Sequence, residues 1–163
     1  MTGRLTLMAE LTHIDASGNA HMVDVSARAS TVRTATAVGR VELGAHVVAM
    51  LRDNTVPKGD VLATARVAGI MATKRTPDLI PLCHPIAVHG VELAVTTADH
   101  GVDIRCTVTT ADRTGVEMEA LTAVSVAALT VVDMVKAIDP GATITGIGVT
   151  QKDGGRNGLW RRT

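Results

Sequence analysis

The sequence has no phenylalanine and no tyrosine, and its one tryptophan, Trp160, lies near the C-terminus. A core without aromatic rings must be filled by Ala, Val, Leu, Ile and Met, so the elements are expected to pack closely. An excess of charge of one sign is also missing. The 16 Lys and Arg residues balance the 16 Asp and Glu residues, and the formal net charge is zero. Nucleic-acid-binding domains usually carry a basic excess, so no nucleic-acid partner is expected. There are only two cysteines, Cys83 and Cys106, and no CxxC pair. This excludes a disulfide framework and fits a reducing cytoplasm. The first residues, MTGRLTLMAELTHID, lack the apolar stretch of a secretory signal. The longest uncharged apolar run, Ala120 to Val132, has 13 residues, short of the roughly 18 that span a membrane. A soluble, cytoplasmic protein is expected, and 163 residues are read as one domain.

Lysine is scarce too. Four lysines (Lys58, Lys74, Lys136 and Lys152) stand against twelve arginines. Arg stays charged, whereas Lys shifts its pKa and transfers protons. Either lysine is kept where a titratable amine is needed, or four surface lysines persist by chance.

What is present has a mixed pattern. MVDVSA alternates as a short strand would, and TATAVGRVEL reads as another strand. GAHVVAMLRD reads as a helix ending before NTVPKGD, and VLATARVAGIMATKR has helical spacing with small residues for close approach. In TPDLIPLCHP, the prolines Pro77, Pro81 and Pro85 argue against regular structure. VHGVELAVTTAD and HGVDIRCTVTTAD form a hairpin through Asp-His-Gly. TGVEMEALTAVSVAALTVVDMVKAI is one long helix, starting near Thr114 or Gly115 and stopping at Pro140-Gly141. ATITGIGVTQ is a last strand before the glycine-rich KDGGRNG. This order predicts an α+β fold, with a mainly antiparallel sheet covered by helices on one face.

Three stretches carry candidate chemistry. Asp133 and Lys136 share one side of the long helix, within a stretch that reads as buried. They are a surface ion pair or the catalytic groups. Glu117 and Glu119 lie at the other end, where carboxylates also suit the helix dipole. Asp133 is 14 residues beyond Glu119, so the two lie about 21 Å apart along the axis. If both serve one site, another subunit must complete it. In LCHP, Cys83 and His84 are adjacent, but no second pair accompanies them as zinc requires. His84 is better suited to contacting an anion. QKDGGRNG lacks Walker spacing, yet Lys152, Arg156 and three glycines could cradle phosphate, or form a flexible tail.

LTHIDASGNAHMVDVSARASTVRTA, KGDVLATARVAGIMATKRTPDLIPLCHP, TGVEMEALTAVSVAALTVVDMVKA and KDGGRNG, in that order, resemble the MoaC family of cyclic pyranopterin monophosphate synthases in molybdenum cofactor biosynthesis. The resemblance covers residues 11–158 or so. Residues 1–10 are read as a variable N-terminal extension and 11–163 as a single catalytic domain. The resemblance implies a ferredoxin-like α+β sandwich, assembled as a hexamer (a trimer of dimers) with active sites between subunits. The implied substrate is 3′,8-cyclo-7,8-dihydroguanosine 5′-triphosphate, supplied by a radical SAM enzyme. The implied products are cyclic pyranopterin monophosphate and pyrophosphate. By the same resemblance Asp133, Lys136 and Lys58 are catalytic. Leu82, Cys83, His84, Glu117, Met118, Glu119, Arg33, Lys74 and Lys152 contact substrate, the basic ones at its triphosphate end. Pro77 stands where family members carry an aromatic residue, a departure that removes no functional group. No redox or metal cofactor is expected, although Mg²⁺ could accompany the triphosphate. A lysine of lowered pKa, near other cations, is the expected general acid and base. The alternative is a non-catalytic ferredoxin-like binding or regulatory subunit, since this fold hosts many functions.

Overall fold

The computed structural model describes residues 14–163, except 16 and 157. Residues 1–10, the expected N-terminal extension, lie outside the described residues.

The first strand, β1 (Thr31–Glu42), is rich in β-branched residues, and its Ala35, Ala37 and Val41 point into the core. Two helices follow, α1 (Ala45–Arg52) and α2 (Val61–Thr73), then one turn of helix, α3 (Thr76–Leu79). The hairpin is β2 (Gly90–Ala98) and β3 (Gly101–Asp112). The long helix is α4 (Glu117–Val135), followed by β4 (Thr143–Asp153) and a two-residue β5 (Trp160–Arg161).

The sheet order is β2-β3-β1-β4-β5, and every pairing is antiparallel. β1 and β2 are therefore parallel to each other with β3 between them, and β3 and β4 are parallel with β1 between them. Two interleaved β-α-β units of this kind make the ferredoxin-like sandwich. The inner face carries Leu93, Val95, Val102, Ile104, Cys106 and Val108 against the fully buried Ala120, Ala123, Val124, Ala127 and Val131 of α4. α4 is long and apolar enough to cross a membrane by length and composition alone, but these residues make it the core helix. The opposite face of the sheet presents Arg40, Asp103 and Arg105, with Arg40 and Asp103 joined in a two-point ion pair.

The α2–α4 contact compensates for the missing aromatics. A Cβ on Gly69 would lie 2.9 Å from the Ala123 carbonyl oxygen and 3.3 Å from the Ala127 Cβ. Backbones this close need glycine and alanine rather than large side chains.

Two expectations need correction. MVDVSA forms no strand. Alternation alone does not supply a ladder partner, and the Val23 carbonyl is instead taken by the His84 ring. Pro77 also does not prevent helix, because it sits in the first turn of α3, where its missing N–H leaves no intrahelical bond unmade.

Candidate active site

The Lys58-Gly59-Asp60 triplet is a device for delivering one ammonium. Gly59 has φ +94°, a left-handed conformation that side chains disfavour, and its N–H closes a turn onto the Val56 carbonyl at 3.0 Å. Asp60 then caps α2, accepting from the Ala63 N–H at 2.9 Å. Lys58, fixed just before this corner, reaches the C-terminal end of α4. Its Nζ donates to the Asp133 carbonyl at 2.7 Å and lies 3.3 Å from Asp133 Oδ2. Lys136 Nζ takes the other oxygen, Oδ1, at 2.7 Å. One carboxylate thus bridges two ammonium groups. Lys136, and then Lys58, hold its carboxyl below the ordinary 3.8, so Asp133 is ionised at neutral pH.

Asp133 and Lys136 do not lie on a buried face. Their side chains are 59% and 61% exposed in this chain, and Lys58 is 45% exposed. The inward stripe at this end is Val131, Met134 and Val135. Apolar residues also occupy the outward side, where Leu129 is 58% exposed, and that is why the sequence reads as buried all round.

The N-terminal end of α4 holds the two glutamates. Glu117 Oε1 pairs with Lys152 Nζ of β4 at 2.9 Å. Gly115 makes room for this pair, since a Cβ there would run into the Glu117 carboxyl. Glu119 is 1% exposed. Its Oε1 accepts from the Cys83 thiol at 3.8 Å, and Oε2 has no partner among the described residues. Burial is the main reason its carboxyl is pushed up from the ordinary 4.5. Burial and the nearby Glu119 charge likewise push the Cys83 thiol up to about 11.

Glu117 and Lys152 also line a recess with Arg28, Arg33, Asp153 and Arg156, in which the cations outnumber the carboxylates, with Gly154 and Gly158 at its wall. Arg33 donates from Nε to the Asp112 carbonyl at 3.0 Å. Gly154, at φ +93°, lies against β1, where a Cβ would be 3.0 Å from Arg33 Cα, and one on Gly155 would strike the guanidinium. Gly154 and Gly155 thus lie against Arg33, which gives this part of the tail a definite place.

The twelve candidates therefore fall into two groups at opposite ends of α4. Lys58, Asp133 and Lys136 form one. Arg33, Cys83, Glu117, Glu119 and Lys152 form the other, with Leu82 and His84 beside Cys83 in the loop after α3. Met118 is 36% exposed at the same end. Lys74 closes α2. Because α2 runs from Lys58, at Asp133, past Ala123, Lys74 faces the glutamate end, where it makes no ion pair among the described residues. His84 Nε2–H donates to the Val23 carbonyl at 2.7 Å.

The profile of the MoaC family matches residues 22–155. The chain belongs to the MoaC family. It is 65% identical over 153 residues to a cyclic pyranopterin monophosphate synthase of Streptomyces coelicolor, covering 94% of this chain and 90% of that one. It is 59% identical to cyclic pyranopterin monophosphate synthase 2 of Mycobacterium tuberculosis, over 94% and 92% of the two chains. It is 57% identical to a cyclic pyranopterin monophosphate synthase of Thermomicrobium roseum, over 95% of each.

In this MoaC chain the structure adds one residue absent from the sequence-derived set, Arg28, and gives Arg156 a definite place in the recess. The available signal for Arg28 is an arginine five residues before Arg33, but only the folding of this segment against KDGGRNG brings the two together.

Proposed function

We propose that this protein is a cyclic pyranopterin monophosphate synthase. It converts 3′,8-cyclo-7,8-dihydroguanosine 5′-triphosphate to cyclic pyranopterin monophosphate with release of pyrophosphate, as a lyase of molybdenum cofactor biosynthesis. The observation that carries the reading is the Lys58–Asp133–Lys136 cluster, in a family member whose relatives bear that name.

The geometry supports a division of labour. A sugar oxygen must attack the α-phosphate while pyrophosphate leaves, and the purine-derived ring must open and reclose through proton transfers. Arg28, Arg33, Lys152 and Arg156 supply fixed positive charge for the triphosphate, most needed as charge grows on the leaving pyrophosphate. Glu119 offers a free oxygen to base N–H donors. Lys136 and Lys58 carry the transferable protons, and Asp133 holds both ammonium groups in place. In this reading no resident metal or redox cofactor takes part, and any Mg²⁺ enters with the triphosphate. Substrate comes from a radical SAM enzyme, and the site is cytoplasmic. The roughly 21 Å between the two groups exceeds the reach of a small nucleotide within one chain. The working unit is therefore an oligomer, a hexamer in this reading, in which a neighbour's Asp133 end meets this chain's glutamate end.

Purified protein incubated with the cyclised triphosphate should yield the cyclic monophosphate and one pyrophosphate. Tight binding with no turnover would instead support the non-catalytic subunit.

A further inference from the structure

The Glu119 carboxyl is buried, with Oε2 unpartnered among the described residues and Oε1 facing the Cys83 thiol. Cys83 is placed by its backbone, since its N–H donates to the Ile80 carbonyl at 3.0 Å and closes the turn that contains Pro81. A thiol is a weak donor, so at 3.8 Å it orients the carboxyl without satisfying it. We propose that Cys83 is a positioning residue whose thiol holds Glu119 Oε1 so that Oε2 faces a ligand edge carrying adjacent N–H donors. This rests on the reading of the substrate as a guanine-derived nucleotide, and it gives the thiol a role other than touching that nucleotide.

The surrounding electrostatics agree. Burial raises the Glu119 carboxyl, and its own backbone N–H and then the Cys83 thiol draw it back, so the thiol adds to what favours the ionised form that accepts two N–H groups. The thiol, at about 11, keeps its proton and stays a donor at neutral pH. His84, next to Cys83, donates to the Val23 carbonyl, and Arg28, Arg33, Asp153 and Arg156 line the recess with Glu117 and Lys152. Glu117, whose charge raises Glu119 further, is itself paired to Lys152 of β4. Arg75, beside α3, is paired to Asp78 at 2.7 Å, and Lys74 is exposed.

The test compares wild type, Cys83→Ala and Cys83→Ser. Cys83→Ala should raise KM for the cyclised triphosphate about tenfold and leave kcat within about twofold. It should also move the acid limb of kcat/KM to higher pH, because the ionised Glu119 has lost a donor. Cys83→Ser, which keeps a donor, should recover part of both effects. Unchanged KM and acid limb in Cys83→Ala would overturn the proposal. So would a loss confined to kcat, or equal losses in both variants with a lowered Tm. Carbon NMR of the Glu119 carboxyl reads the same contact without catalysis. Its titration should shift upward in Cys83→Ala, and an unmoved titration would overturn the proposal even if wild type proved inert and the functional reading failed.

Discussion

Asp133 is one carboxylate shared by two ammonium groups, and that sets what each variant should do. Lys136→Arg keeps the charge and the pairing to Asp133 but not the transferable proton. Binding of the cyclised triphosphate, measured by calorimetry, should stay within roughly threefold, while turnover falls by about 10²–10⁴. Retained turnover would remove Lys136 from proton transfer. The two buried or bridged carboxyls behave oppositely with pH. Asp133 is depressed below 3.8, chiefly by Lys136 and then Lys58, so its contribution to stability is present above 3.8 and lost only as pH falls further. An acid limb near neutrality therefore belongs to another group. Glu119 is raised by burial, so the native state holds its proton longer than the unfolded one. Stability then falls as pH climbs above 4.5. Glu119→Gln, with no charge to bury, should melt a few degrees higher than wild type at pH 7. The gain should vanish below pH 4.5, and a scan of Tm against pH checks it. None of this is legible from residue identity. Asp133 and Glu119 look alike in sequence as charges on an apolar helix, and only packing separates an exposed carboxylate from a buried one.

α4 is the element that organises everything else. Its length separates the two groups of candidate residues, and its small residues let α2 approach. Gly69→Ala would place a methyl 2.9 Å from the Ala123 carbonyl, which as helix backbone cannot turn aside. It should cost about 2 kcal/mol and lower Tm by roughly 4–8 °C, with the pH profile of activity unchanged. Elements set by local chemistry were legible in the sequence. These are the hairpin at Asp99-His100-Gly101 and the helix α2, whereas α4 ends at Val135, short of the expected stop at Pro140-Gly141. What depends on partners was not. MVDVSA alternates without pairing, and β5 exists only because Trp160 and Arg161 meet Lys152 and Gln151.

At the scale of the whole molecule, the α+β architecture and its antiparallel sheet follow from the order of elements, and the interleaved topology accounts for the close packing. The site is another matter, since one chain does not bring the groups together. The exposed Lys58–Asp133–Lys136 cluster and the exposed Leu129 next to it leave that end of α4 open. In the proposed assembly a neighbouring subunit closes it over the glutamate end. The most direct test is complementation between two inactive variants, Glu119→Ala and Asp133→Ala, refolded together. Mixed assemblies should regain activity in roughly a quarter of their sites, those that draw an intact glutamate end from one chain and an intact Asp133 end from another. If mixtures stay as inactive as either variant alone, while wild type refolded in the same way is active, each site is self-contained and the shared site is ruled out.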